Sequence, residues 1–187
     1  MLYLSKGVLC KNSTTDEVRV ARGNTVITLT GAEAAVWLDG RFNMICTDDK
    51  EKHNTIRSLY NMGLVEYEDN SDDDAQYNIL SRCICCPAKV NLIKKPLSKC
   101  EKVVMIWLNN AGLRLSTAEL MYLVENEVKP TDNLFYEENA QALIETIYTK
   151  DTIFDNILEN RMGYAKCRNE VIYSLLLLLS KKRIVML

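Results

Sequence analysis

The 187-residue chain holds one histidine, His53, with only three prolines and seven glycines. A single imidazole leaves one possible base for Ser-His or Cys-His catalysis, and His53 stands at a lysine-rich helix start where a surface position is expected. The glycines are scattered at turns and helix ends, so there is no phosphate-cradling loop, dinucleotide fingerprint or HExxH helix. No catalytic residue and no cofactor are expected. Long apolar runs are missing too: the leucines of 175–179 are five between charged flanks, far short of the ~20 that a membrane span needs. The residues after Lys6 read as a strand and not as a signal peptide, so a cytoplasmic protein without a membrane partner is expected.

The seven cysteines, at 10, 46, 83, 85, 86, 100 and 167, are odd in number and irregularly placed, a poor disulfide framework. Cys83 and Cys86 have the spacing of a zinc knuckle and Cys100 follows, but a second matching pair is absent, so buried reduced thiols are expected in place of a metal site. The acidic run 68–74 lacks the turn glycine of a calcium loop, and Leu80 falls where its bidentate glutamate belongs. Composition is that of a globular protein, with 48% hydrophobic and 26% charged residues and a net charge of −2.

What is present is a repeated helix-to-strand syntax. In 152–187, Thr152 and Asp155 form an acidic capping pattern, and Ile153, Phe154, Ile157 and Leu158 recur at helical spacing. Gly163 breaks that helix. From about Ala165 a second helix puts Val171, Ile172, Leu175, Leu178 and Leu179 on one face, and Lys181-Lys182-Arg183 turn the chain into an apolar strand from Ile184. Earlier, Ile56, Leu59 and Tyr60 share a helical face, Gly63 supplies a left-handed exit, and 64–68 alternate as a strand. A helix-turn-helix with the start of a wing is legible in both places.

Between these units, 7–11 and a hairpin over 18–30 turning at Gly23-Asn24 predict a small antiparallel sheet. Capping boxes at Thr30/Glu33, Ser98/Glu101 and Ser116/Glu119 open three helices, 47–62 supplies another, and 137–148 reads as a further amphipathic helix. The acidic run 68–74 is expected to tip a wing between strands 64–68 and 77–83. The fold class is therefore α+β, mainly helical, with tandem winged-helix domains and small antiparallel sheets. The expected divisions are 1–86 for an N-terminal domain with hairpin and acidic wing, 87–98 for a linker, and 99–187 for a helical C-terminal domain.

The strand, the hairpin, the small-residue helix TGAEAAVWLDG ending at Gly40 and the helix ending LYNMGLV at Val65 resemble the PqqD-like peptide-recognition domains of modified-peptide biosynthesis, over residues 5–68. The resemblance implies a leader peptide that adds a strand to the small sheet and lies against the last helix.

The reading is a non-catalytic regulatory or adaptor protein that recognises a protein or peptide partner. Its contacts are expected at the sheet edge of 8–11 or 18–22, through Val8, Val18 and Val20, and on an outer helix face through Tyr173 and Leu177. The alternative is a DNA-binding transcriptional regulator, with possible homodimer symmetry. It would use Lys166, Arg168 and Asn169 near the start of the last helix and the cluster Lys181, Lys182 and Arg183. Glu170 on the same face opposes phosphate, and the acidic run would meet the backbone where a wing normally does.

Overall fold

A computed structural model of the chain describes residues 1–14, 16–88, 96–110, 115–129 and 157–187. It is α+β: among the described residues, seven helices accompany three small antiparallel sheets of three strands each. The expected helix over 137–148, the capping pattern at Thr152 and most of the linker lie outside the described residues.

Strand β1 (Leu2–Ser5) is the centre of the first sheet, between β5 (Ile45–Cys46) and β6 (Val65–Glu68). All four of its residues are buried, and the two-residue period of a strand explains how. Tyr3 enters one core with Met1, Trp37, Ile56 and Leu59, while Leu2 and Leu4 enter the other with Trp107, Leu120 and Leu175. A strand buried on both faces has no apolar-polar alternation to betray it, which is why β1 is invisible to a pattern search.

The second sheet is β2 (Val8–Leu9), β3 (Val18–Arg22) and β4 (Thr25–Leu29), in that order. Arg22 pairs with Thr25, so Gly23-Asn24 is the two-residue turn predicted, with Gly23 at φ 56°. Helix α1 (Gly31–Asp39) follows, but its expected capping box does not form. Thr30 makes no side-chain cap, and Glu33 accepts instead from Ser58 Oγ at 3.1 Å. That bond ties α1 to α2 (Lys50–Asn61), which Asp49 caps at Glu51 N.

At the exit of α2, Gly63 sits at φ 70°, and the Arg22 guanidinium would lie 2.0 Å from a Cβ there. Only glycine meets both demands.

The acidic run does not tip a hairpin. Residues 77–83, expected as a strand, belong mostly to helix α3 (Asp73–Ser81), and Asp72 caps it by accepting from Ala75 N at 2.8 Å. Tyr77 and Ile79 imitate strand alternation, but the buried set Ala75, Ile79, Leu80 and Cys83 has helical spacing, and packing against the second core decides. Carboxylates at a helix start also complement its dipole.

Strand β7 (Ile84–Pro87) pairs with β8 (Leu115–Ser116) and β9 (Ile184–Met186) to form the third sheet. A domain boundary after residue 86 would cut this strand, and β1 and α3 both pack into the second core.

Helices α4 (Lys99–Asn110), α5 (Thr117–Glu125), α6 (Ile157–Met162) and α7 (Arg168–Ser180) complete the second half. Both serine capping boxes form as read: Ser98 with Glu101, and Ser116 with Glu119. Val171, Ile172, Leu175, Leu178 and Leu179 of α7 are all buried, as the helical spacing required. Lys182, at φ 57°, turns the chain from α7 into β9. Among the described residues, no helix is long and apolar enough to cross a membrane.

Candidate recognition surface

The first expected site is the edge of the hairpin sheet. Val8, on β2, is 41% exposed, as an edge position should be. Val18 and Val20 are not edge residues. They lie on β3, which pairs with β2 on one side and β4 on the other, and their side chains are 2% and 0% exposed within the first core. The correction follows from β2 taking the place beside β3, a non-local pairing that strand alternation cannot reveal.

The longer open edge is β4, which sequence reasoning missed. Arg19 gives its carbonyl to Cys10 N on the β2 side, at 2.8 Å, so the Arg19–Thr28 pair does not exchange hydrogen bonds across the hairpin. Antiparallel alternation then turns the backbone groups of Val26 and Thr28 outward, and Val26 is 60% exposed. The signal was available in the two-residue turn, which sets which pairs bond.

The second expected site is the outer face of α7. Tyr173 is 65% exposed and Leu177 is half-buried. Tyr173, Asn169, Ile172 and Leu176 line a groove against Asp73 and Gln76 of α3. Arg168 holds the two helices together beside it. Its Nη2 donates to Asp73 O at 3.0 Å and pairs with Asp74 Oδ1 at 2.5 Å, Nη1 donates to Gly163 O at 3.1 Å, and the guanidinium lies 5.1 Å from the Tyr77 ring centre. Tyr77 donates in turn to the carbonyl of Glu159. Burial above all, with the Glu159 carboxylate adding to it and Arg168 opposing, pushes the Tyr77 phenol up to about 12, so it stays a donor at neutral pH.

Two cations of the DNA reading, Arg168 and Lys181, are committed within the fold. Besides Arg168, Lys181 pairs with Glu101 Oε1 at 2.6 Å and donates to Pro96 O at 3.1 Å. Lys182 lies over the Phe42 ring at 5.3 Å, and Arg183 is half-buried. Lys166, Asn169 and Lys182 remain exposed. At the start of α7 the Glu125 carboxylate accepts from Cys167 N at 3.0 Å and Lys166 N at 3.3 Å. These bonds, the one from Cys167 first, hold its pKa below the usual carboxylate range and place a negative charge where a phosphate would otherwise sit.

The junction beneath β6 carries a second charge cluster. Glu66, buried, accepts Lys6 Nζ at 2.6 Å and faces Arg82 Nε at 2.9 Å, and Arg82 continues to Glu68 at 2.9 Å and to Tyr67 O at 3.0 Å. The cysteines do not converge. Cys83 follows α3 and donates to Ile79 O, Cys86 is half-buried on β7, and Cys100 stands in the first turn of α4. Burial pushes the Cys83 thiol up, and the Cys85 thiol to about 12, so both are neutral at pH 7 and suited to packing. Among the described residues, no three His, Cys, Asp or Glu side chains are grouped to hold a metal ion. His53 is half-buried, with Nε2 3.0 Å from Thr47 O. No family model, curated protein or solved structure matches the chain.

Proposed function

We propose that this chain is a non-catalytic regulatory or adaptor protein of winged-helix type that recognises a protein or peptide partner. Helix α2 feeding β6 and helix α7 feeding β9, each beside a three-stranded antiparallel sheet, support the winged-helix reading. The observation that carries the functional choice is the internal commitment of Arg168 and Lys181. A DNA reader keeps its cations free for phosphate and base edges, whereas here two of the six expected contacts are bound to carboxylates of the same chain. The apolar and aromatic side chains left outside, Val26 on the open β4 edge and Tyr173 above its groove, suit a polypeptide instead.

The test is selection of binding peptides from a random displayed library on the immobilised chain. The reading expects enriched peptides whose affinity falls with Val26→Pro, which blocks strand addition, or with Tyr173→Ala. Absence of any enriched peptide, together with binding to duplex DNA that charge reversal at Lys166 abolishes, would replace it with the DNA alternative.

A further inference from the structure

The acidic run that caps α3 lies between two hollows. On one side, the Tyr173 groove has a volume of about 280 Å³ and an apolar floor of Ile172, 5% exposed, and half-buried Leu176. On the other, Tyr60, Tyr67, Glu68, Asp69 and Arg82 line a hollow of about 270 Å³. Its two tyrosine rings stand at 80° to each other with centres 5.1 Å apart, an edge-to-face pair whose Tyr60 is 43% exposed. Asp69 belongs to one hollow and Asp73 to the other. Being four positions apart, their Cα atoms lie within ~14 Å, so one short peptide spans both.

The charge between the hollows is one-sided. Glu68, Asp69, Asp72, Asp73 and Asp74 supply five carboxylates, and the cations that touch them, Arg82 and Arg168, are already bound to Glu66, Glu68 and Asp74. Among the described residues, the exposed side chains of Asp69 and Asp73 have no ion-pair partner.

We propose that this face docks a basic amphipathic segment of a partner protein, its Lys or Arg side chains at Asp69, Asp73 and the Tyr60/Tyr67 rings and its apolar side chain in the Tyr173 groove. The assignment rests on the protein-recognition reading above and adds the chemistry of the partner. The surrounding geometry is pre-set: Arg168 clamps the start of α3 to α7, and Arg82 ties the end of α3 to β6.

The probe is a fluorescein-labelled 14-residue peptide of Lys and Leu at helical spacing, compared by anisotropy with its Glu-for-Lys counterpart. The Lys peptide is expected to bind at least about ten-fold more tightly than the Glu peptide. Tyr173→Ala and the pair Asp69→Asn with Asp73→Asn should each weaken it several-fold, and raising salt from 50 to 300 mM should weaken it further. Asp16→Asn with Glu17→Gln makes the same charge change on the loop before β3, which lines neither hollow, and should leave affinity intact. Equal binding of the two peptides, or binding that survives the Asp69/Asp73 and Tyr173 changes, would overturn the proposal. If library-selected peptides bind through Tyr173 while the Lys peptide does not, the basic partner is wrong and peptide recognition stands; if neither binds, both fall.

Discussion

Replacing Lys181 by methionine keeps the apolar stem of the side chain and removes only its charge, so it isolates the pair with Glu101. Glu101 is 1% exposed and the Lys181 side chain 17%, with 2.6 Å between the charged atoms. Exposed pairs contribute up to about 1 kcal/mol, whereas stripping the partner from a buried carboxylate costs about 3–5 kcal/mol. With water reaching one side of Lys181, about 3 kcal/mol is expected, a fall in Tm of roughly 6–12 °C for a chain of this length.

Urea titration should show the loss as a lower midpoint at unchanged slope. Burial pushes the Glu101 carboxyl upward, but hydrogen bonds from Lys181 and Ser98 more than offset it and leave its pKa below the ordinary value of 4.5. A depressed folded-state pKa stabilises above the unfolded value and is lost as pH falls through the folded one. The gap between the parent and Lys181→Met should therefore be full at pH 7 and narrow below about pH 4.5. Lys182→Met, which loses only a cation over Phe42, should cost less than about 1 kcal/mol. A loss under about 1 kcal/mol for Lys181→Met, or one that does not narrow in acid, would refute the view that Lys181 is a structural tether.

Three further outcomes follow from the same geometry. Gly63→Ala forces a side chain into φ 70°, and should cost about 1 kcal/mol or more in urea titration, with most of the loss remaining when Arg22 is also shortened, because the backbone strain does not depend on the flexible guanidinium. Arg168→Ala removes the clamp between α3 and α7, and hydrogen exchange should rise at the start of both helices while that of β3 and β4 stays unchanged. Trp37→Ala empties a fully buried site and orphans the Lys6 carbonyl that accepts Trp37 Nε1 at 2.9 Å, so a loss of about 3–5 kcal/mol is expected in thermal unfolding.

What could be read from the sequence was local. The Gly23-Asn24 turn, the two serine capping boxes and the buried face of α7 each depend on residues a few positions apart, and each is found where expected. What could not be read depended on distant partners. Strand β1 is buried between two cores that its own four residues do not announce, and Glu33 left its capping box for Ser58, 25 residues on. The site divides in the same way. Tyr173 is exposed as a local rule, the helical wheel, leads one to expect, whereas Val18 and Val20 are lost as edge contacts because β2 docks beside β3 and their side chains pack into the first core with Tyr3, Leu29 and Trp37. Arg168 looked free for DNA because its partner Asp74 lies 94 residues away in sequence.

The choice between a polypeptide and DNA as the partner is tested most directly by anisotropy of a labelled generic DNA duplex titrated with the full chain, at low and then at physiological salt. With Arg168 and Lys181 committed internally and the acidic run exposed beside α7, no saturable binding is expected even at low salt. Salt-sensitive micromolar binding that charge reversal at Lys166 removes would contradict the account and make α7 a DNA-reading helix.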